Sequence, residues 1–112
     1  MTYELKTTDG KHSRLISQDE FKSILRMAIT NGWKPSSAHI RDKKLQLDAP
    51  FSPAESRTFA SALERGLQKA MASSPPNFVV MVLESIAVLR RGETQFVRLE
   101  ERDTPNARKS AT

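Results

Sequence analysis

A chain of 112 residues, 38% of them apolar and 28% charged, has enough apolar surface for one core and too little for two, so a single folded domain is expected. The absence of cysteine removes disulfides, thiolate nucleophiles and zinc–thiolate sites, and neither His12 nor His39 has a partner at metal-ligand spacing. The net charge of +5 invites a nucleic-acid reading, but the excess is spread thinly, and nowhere do about 18 apolar residues run together as a membrane span requires.

The N-terminal MTYELKTTDG has charges where a signal peptide needs an apolar stretch, so the expectation is a soluble, cytoplasmic protein. Partial alternation around Tyr3/Leu5 and Leu15/Ile16, interrupted by Asp9-Gly10, predicts a hairpin with strands near 2–6 and 12–16.

A helix follows over 18–31. Ser17 is placed as N-cap, Glu20 as its capping-box partner, and Ile16 with Phe21 as a hydrophobic staple. Phe21, Ile24, Leu25, Ala28 and Ile29 recur at helical spacing to form one buried face, and Gly32 is placed to end the helix in the left-handed conformation.

The chain's one tryptophan comes next, in NGWKPSS. With Lys34, Arg41, Lys43 and Lys44 close behind, Trp33 has two readings: a platform that stacks a base beside phosphate-binding cations, or a ring packed back over the helix it leaves. Large aromatics are usually buried, which favours the second. Ile40 on one side of Asp42-Lys43 and Leu45/Leu47 on the other suggest one or two strands with a polar connection, the clearer of them over 44–48.

Ser52, Pro53 and Glu55 repeat the helix-start pattern and predict a second helix over 53–72, with an apolar line of Phe59, Ala62, Leu63, Leu67, Ala70 and Met71. Gly66 inside it costs about 1 kcal/mol relative to alanine, which points to a close approach by another element. Beyond Pro75-Pro76, six consecutive apolar residues from Phe78 to Leu83 suit strand or helix. Their continuation through Ile86 and Leu89 to Gly92, in the sets Val79/Leu83/Ile86 and Val82/Ile86/Leu89, favours a helix over 77–91. A final strand is expected over 94–99, and 104–112 reads as a loose polar tail on a domain spanning 1–103.

Catalytic vocabulary is sparse. Ser36, Ser37, His39, Asp42 and Asp48 allow a Ser-His-Asp set on paper, but no nucleophile elbow or glycine-rich loop accompanies them, and no P-loop, GxGxxG or HExxH occurs. Glu55 and Glu64 read as a capping residue and an exposed helix charge. No enzyme activity, cofactor or metal is expected. Arg90 and Arg91 suit the negative end of a helix dipole better than an acidic partner. Val80 and Met81, if exposed on the third helix, would form a patch for a partner protein or a second copy.

Three stretches, FKSILRMAITNGWKPSS, FASALERGL and FVVMVLESIAVLRRGETQF, resemble in order and spacing a family of small uncharacterised bacterial α+β proteins. In that family a first helix runs into Gly-Trp-x-Pro-x-Gly-Thr, a second carries Asp-Ala-x-x-Leu-Ala-x-Ala-Leu, and a last helix ends in glycine before Gly-Phe-x-Ile. The resemblance covers residues 21 to 97, with Gly32-Trp33-Lys34-Pro35 fitting the first motif and Ser36-Ser37 standing where the family has Gly-Thr. It implies a compact α+β fold, helix over 78–90, and no activity.

Taken together, the elements predict an α+β fold: three helices packed on a small, mostly antiparallel sheet. The leading expectation is a non-enzymatic protein-interaction module that self-associates through the third helix. The alternative is a nucleic-acid binder using Trp33, Lys34, Arg41, Lys43 and Lys44.

Overall fold

The computed structural model describes residues 2–98. Five strands and three α-helices follow in the order β1 (Thr2–Thr7), β2 (Ser13–Ser17), α1 (Gln18–Thr30), β3 (Ile40–Arg41), β4 (Lys44–Leu45), α2 (Pro53–Ala70), α3 (Pro76–Arg90) and β5 (Thr94–Arg98). The expected fold class is what the chain adopts. The expected tail at 104–112 and the last residue of the predicted final strand lie outside the described residues.

β1 is the centre of a three-stranded antiparallel sheet ordered β2-β1-β5. Its register places Tyr3 between Ile16 and Arg98, and Leu5 between Arg14 and Phe96. The period-2 alternation of a strand turns Tyr3, Leu5, Ile16 and Phe96 to one face, where they join the core shared with the helices. The β1–β2 turn is closed by Asp9, whose carboxylate accepts from the Thr7 hydroxyl and the Lys11 amide, with Gly10 at φ +76°.

Both predicted helix starts form as complete capping boxes. α1 ends in a Schellman motif: the Gly32 N–H donates to Ile29 O (3.1 Å) and the Trp33 N–H to Ala28 O (3.0 Å), with Gly32 at φ +106°. That closure folds the chain back over α1 and aims the indole at the core. α2 lies against both other helices. At Gly66 an added Cβ would sit 2.3 Å from Met27 Cγ, so the glycine is what lets α1 and α2 approach so closely.

α3 is a helix throughout. Met81, Val82, Ser85, Ile86 and Leu89 are buried at helical spacing, which a strand over 78–83 would not allow. The set Val82/Ile86/Leu89 is the core face, whereas Leu83 of the other expected set is exposed. Met71 and Ile29, expected in apolar faces, are also exposed, Ile29 in the last turn of α1 and Met71 one residue past the end of α2.

One expected element is corrected. Residues 44–48 do not add a strand to the main sheet: Lys44–Leu45 pairs only with Ile40–Arg41, in a separate two-stranded ribbon. Asp42 (φ +53°) and Lys43 (φ +63°) form a tight turn with both central residues left-handed, the geometry whose twist matches a two-residue hairpin. The Gln46 N–H then donates to His39 O (2.6 Å), and the chain leaves the extended conformation at the next residue.

Candidate functional site

Trp33 is 2% exposed. Its ring meets Phe59 (centroids 4.9 Å), Phe51 (5.4 Å) and His39 (5.6 Å), and Phe51 continues to Phe96 (5.0 Å) on the sheet. Edge-to-face pairs of this kind add to the burial energy of each ring. The stacking-platform reading of Trp33 is therefore overturned: neither face of the indole is open to a base. The cations grouped with it, Lys34, Arg41, Lys43 and Lys44, are all exposed, the last three on or beside the β3–β4 turn.

Below Trp33 lies a polar cluster that the sequence does not announce. His39, 1% exposed at the end of a single 3₁₀ turn (Ser37–His39), has its Nδ1 2.8 Å from Ser36 Oγ and 3.2 Å from Glu55 Oε2. Glu55 reaches it because the capping box holds the carboxylate in place: Oε1 accepts from the Ser52 N–H at 3.0 Å, leaving the buried Oε2 turned to the imidazole without a hydrogen-bond partner among the described residues. Burial is the largest influence on the Glu55 carboxyl and opposes ionisation. The Ser52 amide, the Ser36 hydroxyl and the His39 ring together outweigh it, so the carboxyl titrates below the ordinary glutamate value. The paper triad of Ser36 or Ser37, His39 and Asp42 or Asp48 is thus replaced by Ser36, His39 and Glu55.

The geometry of that cluster is a clasp. A serine–imidazole–carboxylate relay needs serine and acid on opposite ring nitrogens. Here both oxygens meet Nδ1, and the buried Nε2 has no hydrogen-bond partner among the described residues. What the contacts do is pin the connection between α1 and α2 to the first turn of α2. Its only local trace is the spacing of Ser36 and His39, which bracket one helical turn; Glu55, sixteen positions on, is brought to them by the fold.

The candidate residues of α3 separate. Val80 is 54% exposed and Leu83 49%, with Ala87 exposed one turn on, whereas Met81 is 2% exposed and faces the core. Met81 is therefore withdrawn as a surface contact: one position along a helix rotates a side chain by about 100°. Arg90 reaches Glu64 of α2 at 2.5 Å, and Arg91 lies 3.9 Å from Glu93, so both arginines have intramolecular carboxylates. Arg14 of β2 pairs with Glu84 of α3.

Two hollows flank Leu45 and Leu47. One, of about 640 Å³, is lined by Tyr3, Gln18, Arg41, Gln46, Asp48 and Arg98; the other, of about 170 Å³, lies against Lys22, Leu25, Arg26 and Ile29 of α1. Asp48 and Arg98 face each other at 3.6 Å across the first. Among the described residues no three His, Asp or Glu side chains are grouped to hold a metal ion, and no helix is long and apolar enough to cross a membrane.

Fold and geometry define a small single-domain α+β protein. No protein-family model, no curated protein and no solved structure matches the chain.

Proposed function

We propose that this protein is a non-enzymatic interaction module that self-associates through the outer face of α3. The observation that carries the reading is the exposure of Val80 and Leu83, followed at helical spacing by Ala87, on one side of a helix whose opposite side is core. No charged residue occurs from Pro76 to Leu83, and the one carboxylate that borders the stripe, Glu84, is paired with Arg14 of β2, so two such helices can approach over their first halves without burying an unpaired charge. The cations at the far end, Arg90 and Arg91, are already matched by Glu64 and Glu93 and do not oppose the approach.

The stripe is narrow, and narrow interfaces form weak, exchanging dimers rather than obligate ones. The non-enzymatic part of the reading draws on the clasp, where the buried imidazole has both oxygens on one nitrogen.

Sedimentation of the full chain tests the proposal. A dimer with a dissociation constant of about 10 to 100 μM is expected, and Leu83→Asp, on the exposed face, is expected to weaken it at least tenfold. A chain that stays monomeric up to about 1 mM, or a dimer indifferent to Leu83→Asp, overturns it.

A further inference from the structure

The two hollows share Leu45 and Leu47 and lie along one side of α1. Gln18, Lys22, Leu25 and Ile29 succeed one another at intervals of about one turn, so they share a single face of α1. The larger hollow lies at the Gln18 end and the smaller at the Ile29 end, with Leu45 and Leu47 lining both. The result is a groove between α1 and the segment from Arg41 to Pro50. The eleven steps from Gln18 to Ile29 rise about 16 Å, the length of about five residues of extended chain.

We propose that this groove is a docking site for an acidic, apolar-anchored peptide segment of a partner protein. Charge complementarity selects the occupant. Lys22, Arg26, Arg41 and Arg98 line the groove, and the first three have no carboxylate at ion-pair distance among the described residues. The one acid in the lining, Asp48, is turned to Arg98. The apolar surface lies at the Ile29 end, where Leu45 and Leu47 are half-buried beside Ile29 at 41% exposed, while the Gln18 end is mainly polar; the leucines are the anchor for side chains that alternate with carboxylates.

The same features argue for peptide over nucleic acid. Sequence-tolerant binding of single strands relies on aromatic rings on which bases stack. The one aromatic side chain in the lining is Tyr3, 2% exposed, so the groove offers cations and aliphatic surface without a stacking platform. An extended peptide uses both, placing every second residue on the leucines and the carboxylates between them on Lys22, Arg26 and Arg41.

The experiment is a titration of the isotopically labelled full chain, followed by amide chemical shifts. The probe is an end-capped hexapeptide of alternating glutamate and leucine; its glutamine-for-glutamate counterpart and an oligothymidylate of equal length serve as controls. Expected are shifts concentrated in residues 18–29 and 41–48, affinity at least tenfold lower for the glutamine peptide, and loss of binding in Lys22→Glu/Arg26→Glu. Arg41→Glu, on the ribbon, gives a second reading should the helix variant unfold. Leu83→Asp is expected to bind the peptide normally, so the groove and the α3 interface stand or fall separately.

Four results overturn the proposal: no shifts up to about 1 mM peptide, equal affinity for the glutamine peptide, tighter binding of the oligothymidylate at the same amides, or shifts at those amides on simple dilution, which would assign the groove to a second copy.

Discussion

α1 and α2 begin with the same four-residue pattern and end up with different duties. Ser17 and Ser52 share the same backbone conformation (φ −72°, ψ 162°), each accepts from the amide of the glutamate three residues on, and each receives that glutamate's carboxylate on its own amide. Glu20 serves the cap. Glu55 serves the cap with one oxygen and faces a buried histidine with the other. A local motif is thus interchangeable between the two sites, whereas the second oxygen acquires its role from what the tertiary fold brings to it.

That contrast can be broken at several points. The largest effect is expected at Trp33, the ring that covers the α2 site and has no equivalent at α1: Trp33→Ala should cost about 3–5 kcal/mol in denaturant unfolding. A loss below about 1 kcal/mol would show that the ring is not integral to the core.

Next, Glu55→Ala should cost about 2–3 kcal/mol, from the cap and from leaving His39 without its carboxylate, against about 1 kcal/mol for Glu20→Ala. Equal losses would reduce the clasp to an ordinary cap.

Acid titration sharpens the same difference. Because the Glu55 carboxyl titrates below its ordinary value in the folded chain, the unfolded chain binds more protons in that window. The resulting stability is complete above the ordinary glutamate value and is lost as pH falls through the folded value. Unfolding followed between about pH 6 and pH 2 should show Glu55→Gln losing this component of the acid slope. An unchanged slope would remove the carboxylate's preferential ionisation from the account.

The smallest effect is a parity: Ser17→Ala and Ser52→Ala should each cost about 1 kcal/mol and agree within about 0.5 kcal/mol, because the caps themselves are alike.

Legibility followed the range of the interactions. The helix starts and the Gly32 stop could be read because their hydrogen bonds close within six residues, and burial of Trp33 was favoured by the size of the ring alone. The helical state of 78–90 was readable from the length of its apolar run. Leu83 and Met81 were misplaced because α3 is apolar around most of its circumference, so periodicity alone does not choose the face, and packing against α2 does. The 44–48 strand was overextended because alternating leucines look the same in a ribbon and in a sheet. The partnership of His39 with Glu55 spans sixteen positions and carries no periodic trace.

The sequence by itself determined where helices start and stop and the fold class, since caps, turns and hydrophobic spacing act between near neighbours; it favoured a buried indole, which rings distant in the chain then enclose. Tertiary structure alone decided that a capping carboxylate meets a buried imidazole, that Val80 faces outward while Met81 faces inward, and that Lys22, Arg26 and Arg41 surround Leu45 and Leu47. Those outcomes depend on how elements distant in the chain pack, and close packing settles orientation through shape and volume that no local pattern encodes.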